Sequence, residues 1–304
     1  MNPIDVDAYL DRLDLPAQPP SAENLGDLHA AHVERIPFET IEQLPGVDPV
    51  DSVRRIVTTG RGGVCYHLNG AFARLLDALG YAVSLHAAGV QSRFAAAPQG
   101  PNGTHNVALV RHLPTHPNPG GRWLLDVGSG EGFHRPLPLV EGTYERDGFQ
   151  YTLRAAAPGP DGAARWRLDY DRRESCRGLD FTERVSVPDE FASPYAEQAG
   201  THMAIFFEYG WVKRHHAHGY DELIGCQLSH VTTAGRRSTT VTGEDEWYAA
   251  LSDVFGITMP QLDAAGRTAL WDRIRQAWQA RSFATAIRPP LQEPQAPANR
   301  EVVR

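Results

Sequence analysis

The run Arg61-Gly62-Gly63-Val64-Cys65 leads directly into a strongly periodic apolar stretch. Leu68, Ala71, Phe72, Leu75, Leu76 and Leu79 recur at three- and four-residue spacing, so Cys65 falls in the first turn of a predicted helix that Gly80 closes. A thiol at that position meets free backbone amides and the positive end of the helix dipole, and both favour its ionised form. The paired glycines let the backbone turn tightly and approach a substrate closely, which core packing does not require. The competing reading is a buried structural cysteine, since free Cys is among the most buried residue types.

A nucleophilic thiol needs a base within hydrogen-bond reach and a group that orients the base. His105 opens the strand-like run Thr104-His105-Asn106-Val107-Ala108-Leu109-Val110, and Asp126 closes Trp123-Leu124-Leu125-Asp126. If these runs pair antiparallel, the start of the first lies beside the end of the second, and imidazole and carboxylate become neighbours. The chain holds 13 histidines, so residue types alone leave many such trios open.

The wider pattern narrows them. Arg35-Ile36-Pro37-Phe38-Glu39, then Arg61-Gly62-Gly63-Val64-Cys65 with Asn69, then the His105 strand, then Asp126-Val127-Gly128-Ser129-Gly130 and Pro136-Leu137-Pro138-Leu139 together resemble the arylamine N-acetyltransferases over residues 20 to 140. The resemblance implies a helical bundle, a β-barrel and an α/β lid, with a Cys-His-Asp triad of the transglutaminase and papain type. It makes Cys65 the nucleophile, His105 the base and acid, and Asp126 the orienter. The activity implied is transfer of an acyl group from coenzyme A to an aromatic amine or hydrazine. Phe38 matches a pocket-lining position, and Ser129 is the matching small residue on the substrate side. Gly103 and Thr104 are assigned to the donor, acetyl-CoA or another acyl thioester, which is a co-substrate rather than a resident cofactor. Glu39 and Arg61 are expected to form an ion pair bracing the Cys65 loop.

The chain departs from the family pattern in three places. Thr40 stands where the family has Asn, Ser129 stands where many members have Phe, and Phe191 to His202 lacks the usual lid motif. These differences suit a bulky or carrier-bound acyl group, as in the branch that closes amide bonds on thioester-bound natural products. An acyl carrier protein is then a possible donor partner.

The elements that must hold these residues follow from periodicity. Helices are predicted over Ala22 to Val33, Asp51 to Thr58 and from Cys65, giving a helical unit over 1–90. Short strand-like runs at Tyr81 to Val90, Thr104 to Arg111, Trp123 to Val127, Gly148 to Arg154 and Ala163 to Tyr170 alternate with turn-rich pieces and no helices. That spacing predicts an antiparallel sheet or small barrel over 91–187. Residues 188–287 mix strands (Met203 to Phe207, Gln227 to Thr233) with helices near Glu244 to Phe255 and Leu262 to Arg281, and 288–304 reads as a mobile proline-rich tail. The fold class is therefore α+β.

With 29 basic and 37 acidic residues the net charge is −8, which excludes a broad nucleic-acid footprint. No run approaches the roughly 18 apolar residues of a membrane span. The N-terminus lacks signal-peptide features, and three scattered cysteines make no disulfide framework, so a reducing cytoplasm is expected. Three rivals remain. Leu124 to Gly132 also resembles the glycine motif of S-adenosylmethionine-dependent methyltransferases, which requires a helix immediately afterwards. His215-His216-Ala217-His218 with Asp221 and Cys226 offers metal ligands but no second pair at a convincing spacing, so no metal site is expected. A thiol hydrolase would use the same triad with water as acceptor. Cys176, in a charged segment, and Cys226 are read as incidental and packed.

Overall fold

The computed structural model describes residues 4–199 and 204–280; the proposed tail at 288–304 lies outside them. Four helices form the N-terminal part: α1 (Val6–Leu13), α2 (Ala22–Arg35), α3 (Pro49–Thr59) and α4 (Cys65–Ala78). Their ends follow capping chemistry. Ser21 and Asp48 accept backbone amides at the starts of α2 and α3. Gly80, at a φ of 90°, ends α4, with Gly80 N–H donating to Asp77 O and Tyr81 N–H to Leu76 O. The predicted α4 stripe is completely buried at Leu68, Ala71, Phe72, Leu75 and Leu76.

Two further stretches of chain form sheets. β1 (Phe38–Glu39) is followed by β2 (Ala82–Ser92), β3 (His105–Arg111), β4 (Trp123–Leu125), β5 (Leu137–Pro138), β6 (Gly142–Arg146), β7 (Phe149–Ala156), β8 (Arg165–Asp169) and β9 (Cys176–Ser186). β2 to β9 make an eight-stranded antiparallel, barrel-like sheet in the order β5-β4-β3-β2-β9-β8-β7-β6. Alternate residues of β3 serve two cores. Val107 and Leu109 join Leu124, Leu153 and Phe181 inside the sheet, while Ala108 and Val110 join the α4 stripe on its outer face.

The last part contains α5 (Ala192–Ala199), α6 (Ala204–Tyr209), β10 (Trp211–His216), β11 (Gly219–Ile224), β12 (Gln227–Thr232), β13 (Gly235–Thr240), α7 (Glu244–Ala249) and α8 (Ala264–Gln279). Its sheet runs β1-β10-β11-β12-β13, so the N-terminal part supplies one edge strand. Trp247, Leu251, Phe255, Trp271 and Ile274 cover this sheet from α7, the helical turn that continues it, and α8. Among the described residues no helix is long and apolar enough to cross a membrane.

The predicted α+β architecture holds, with three corrections. The strand expected over Met203 to Phe207 is a helix, α6, from Ala204 on; Met203 lies outside the described residues. A short apolar run has no distinguishing period, and here Phe206 and Tyr209 meet ring to ring one helical turn apart. The charged segment around Cys176 leads into β9, a central strand paired with both β2 and β8. β10 and β11 went unpredicted because Lys213, His215 and Glu222 are buried, which hides the usual alternation of apolar and polar residues.

Candidate active site

The loop between α3 and α4 is built around close approaches. A Cβ on Gly62 would lie 2.1 Å from Pro37 O, so only glycine fits there. Gly63 O accepts the Glu39 amide at 3.0 Å, tying this loop to β1. The anticipated Glu39–Arg61 pair is present and buried: Arg61 Nε lies 2.9 Å from Oε1 and Nη2 lies 2.5 Å from Oε2. Arg55 also reaches Glu39 and donates to Gly62 O at 2.9 Å. A bidentate, desolvated pair of this kind braces the loop far better than a surface contact would.

Cys65 is the first residue of α4 and nearly buried. His67 Nδ1 accepts the Val64 amide at 3.2 Å, and its Nε2 donates to Gly46 O at 2.8 Å. Both ring nitrogens are thereby committed. Burial outweighs these hydrogen bonds and pulls the His67 pKa down to about 4, so the ring is neutral near pH 7.

β3 and β4 pair antiparallel with Ala108 opposite Leu125, which sets the start of β3 beside the end of β4. His105 Nε2 lies 2.8 Å from Asp126 Oδ2, with both side chains buried. Cys65 acts on the same ring, and with Nε2 engaged by Asp126 it is Nδ1 that remains for the sulfur. Burial works against a charge on His105, but Asp126 and Cys65 overcome it and raise the pKa to about 10. The trio inferred from spacing therefore meets in one buried cluster.

The structure also reveals supports to which the sequence analysis assigned no role. Asn69, one turn beyond Cys65, donates to Asp126 Oδ1 at 2.9 Å and to Asn106 O at 2.7 Å, and accepts the Val127 amide at 2.9 Å. One amide group thus fixes α4, β3 and β4 relative to each other. His29 Nε2 accepts the Asp126 amide at 3.3 Å, and its Nδ1 donates to His134 O at 3.0 Å. The Cys-x-x-x-Asn spacing, which places both residues on one helix face, was the available signal for Asn69; His29 had none.

The loop after Asp126 forms the adjoining wall. A Cβ on Gly128 would lie 2.7 Å from Cys65 Cα, and one on Gly130 would lie 2.9 Å from Phe38 Cβ. Ser129 lies between them in the chain, half-buried, in a loop that passes Cys65 at Gly128 and Phe38 at Gly130. Gly103 is buried with both backbone groups engaged: its N–H donates to Ala88 O at 3.0 Å and its carbonyl accepts Tyr66 OH at 2.8 Å. Thr104, half-buried beside it, bonds Asn102 Oδ1. Pro194 of α5 packs over Gly103, while Phe191 stacks on Tyr66 and Tyr195 meets it edge to face.

The rival motifs have other uses. No helix follows β4; turns at Gly130 and Gly132 lead to β5, so the methyltransferase motif lacks its required context. His215 is buried and donates to Gly132 O at 2.7 Å, while Asp221 pairs with His230. Burial pushes the Cys226 thiol up to about 11, and burial together with Glu131 keeps the Cys176 thiol protonated.

The sequence profile of the N-acetyltransferase family matches residues 21–264. The chain belongs to this family. It is 37% identical over 150 residues to the arylamine N-acetyltransferase of Mycobacterium tuberculosis, a match covering 47% of this chain and 51% of that one. It is 30% identical over 163 residues to proansamycin X synthase of Amycolatopsis mediterranei, covering 50% and 59%. The chain thus spans about half the length of the first of these curated relatives. The solved arylamine N-acetyltransferase structure from M. tuberculosis superposes with a TM-score of 0.77 at 25% identity, covering 90% of this chain and 100% of that one. The M. marinum enzyme, solved in complex with CoA, superposes with a TM-score of 0.76 at 23% identity, over 90% and 99%.

Proposed function

We propose that this N-acetyltransferase family member moves an acyl group from a thioester through Cys65 to an aromatic amine or hydrazine. The observation that carries the reading is His105, 2.8 Å from Asp126 Oδ2 and acted on by Cys65, with its proton affinity raised to about 10. His105 takes the Cys65 proton and holds it as imidazolium. The sulfur attacks the thioester carbonyl, the bond to the donor sulfur breaks, and His105 returns the proton to the leaving thiol. In the second half the amine nitrogen attacks acyl-Cys65, His105 takes its proton, and the Cys65 sulfur leaves. Asp126 keeps Nε2–H of the ring directed at itself, so Nδ1 stays on the sulfur.

The amide of Cys65 is the proposed oxyanion donor. At the first helical position it has no acceptor within the helix, whereas the Val64 and Gly128 amides are taken by His67 and Asp126. Gly103 and Thr104, at the head of β3, are proposed to face the donor. Acetyl-CoA is the proposed co-substrate, and the cytoplasm the proposed compartment. A second reading, an amide synthase using a bulky or carrier-bound acyl group, is favoured by the small Ser129 and by the similarity to proansamycin X synthase.

Intact-mass spectrometry after mixing with acetyl-CoA tests the proposal. One acyl adduct is expected on the native chain and none on Cys65→Ala; an adduct that persists in the variant refutes it. Adding aniline should discharge the adduct, and discharge by water alone at the same rate would make the enzyme a hydrolase.

A further inference from the structure

Trp211, the first residue of β10, is held more tightly than a partly exposed aromatic residue usually is. Phe206 stacks on its ring at 4.5 Å and the Lys213 ammonium lies over it at 4.4 Å. Its indole N–H donates to Glu222 Oε1 at 3.1 Å and its backbone N–H donates to Thr40 Oγ1 at 2.9 Å. The same Thr40 hydroxyl donates to Phe206 O at 2.7 Å, so one side chain holds both partners of the stack. From the other side, Arg273 of α8 donates to Phe207 O at 2.6 Å, Glu208 O at 2.9 Å and Ile41 O at 3.0 Å. The end of α6 is therefore latched to both β1 and α8.

This slab adjoins the reactive cluster. Trp211 meets Phe38 edge to face at 5.6 Å. Phe38 bridges to Gly63 of the Cys65 loop, and Gly130, next to Ser129, packs against both Phe38 and Lys213. A swing of Trp211 would break the stack, the cation contact and the indole hydrogen bond together. We infer that Trp211 is a specificity-determining residue: a rigid wall, latched by Thr40 and Arg273, that sets the width of the acceptor side of the Cys65 site and favours one-ring over fused two-ring arylamines. The inference rests on the acyl-transfer reading above and deepens it by naming what bounds the acceptor.

The test separates the two half-reactions. Enzyme preloaded to a complete acyl adduct is discharged with aniline or with 2-naphthylamine, and the ratio of the second rate constant to the first is compared among wild type, Trp211→Ala, Arg273→Met and Thr40→Val. The ratio should rise about tenfold in Trp211→Ala, as expected for relief of a steric limit in a pocket, and less in the two latch variants, which keep the ring but free it. Complete adduct formation shows that the Cys65 site of a variant is intact. If Trp211→Ala fails to acylate, the latch variants decide the matter. Fully acylated variants whose ratios stay within about twofold of wild type would overturn the role of Trp211, since a steric wall must be worth more than that. Absence of adduct on the wild-type chain would instead overturn the reading of Cys65, and with it any acceptor side to be shaped.

Discussion

Two buried clusters of charge lie close together and work in opposite ways. Around Lys213 the charges are paired: its ammonium lies 3.1 Å from Glu131, 3.5 Å from Glu222 and 2.8 Å from Ser175 Oγ, and Arg236 closes the far side of Glu222. Burial would raise the Glu131 pKa, but Lys213 and the Ser175 hydrogen bonds hold it down to about 2. Glu131, Glu222 and Lys213 therefore stay ionised near neutral pH, while burial and the Glu131 charge raise the neighbouring Glu174 to about 8, and the paired core acts as a strut joining the barrel loop 126–136 to the C-terminal sheet. Around His105 the same low-dielectric setting holds a base between an acid and a thiol, and its proton has somewhere to go. Burial alone therefore does not mark a reactive group; an exchangeable proton beside a nucleophile does.

The largest effect that would separate the clusters lies in rate. His105→Gln should slow acylation of Cys65 by about 10³- to 10⁴-fold, and Asp126→Asn by a similar factor because the ring loses its fixed tautomer. Rapid-quench mass spectrometry would read this, with circular dichroism confirming the fold; a loss below about tenfold in either variant would remove that residue from the mechanism.

Lys213→Met should show the reverse. Leaving Glu131 and Glu222 without their cation should cost about 3–5 kcal/mol of stability in urea unfolding, while acylation per folded molecule falls far less than in His105→Gln. A variant as stable as wild type would mean that the strut carries no load.

Acid should reveal a third behaviour. His29 and His32 are completely buried, and burial lowers both pKa values to about 3. The unfolded chain takes up their protons below about pH 6.5 while the folded chain does not, so stability should fall as pH drops from about 6.5 towards 3, by up to about 1.4 kcal/mol per histidine per pH unit. The sign for His105 is opposite. Its raised pKa stabilises the fold below about 6.5, and that contribution is lost as pH rises through about 10. Urea titrations at pH 7, 5 and 4 should show the acid decline and His29→Gln should flatten it; a level profile would contradict the neutral assignment.

The smallest effect belongs to Glu42, which pairs with Arg55 and Arg61 but is half exposed. Glu42→Gln should cost under about 1 kcal/mol in thermal unfolding. A loss as large as that of Lys213→Met would show that the Cys65 loop depends on the rim of its brace rather than on Glu39.

Much of the site was legible before any coordinates. The Cys65 helix, its closure at Gly80 and the strand character of the His105 and Trp123 runs follow from period, caps and turn residues, which act over a few positions, whereas their antiparallel pairing was a condition that the structure met. What stayed hidden has one physical cause. His29, Lys213 and Glu222 are polar residues in interior places, and their partners lie far away in sequence, so local spacing carries no trace of them. The same holds for β10 and β11, whose inward faces are charged, and for α6, a run too short to declare its period.

By itself, then, the sequence singled out Cys65 as the candidate nucleophile, the helix end on which it stands, and the order of thiol, imidazole and carboxylate along the chain, because helix stops and apolar stripes are local energies. Only the tertiary structure decided which of the histidines faces the sulfur, that Asn69 pins three elements at one point, and that Trp211 closes in on Phe38. Those outcomes depend on strand register and on charges paired across the interior, where the fold sets the distances and neighbours in sequence do not.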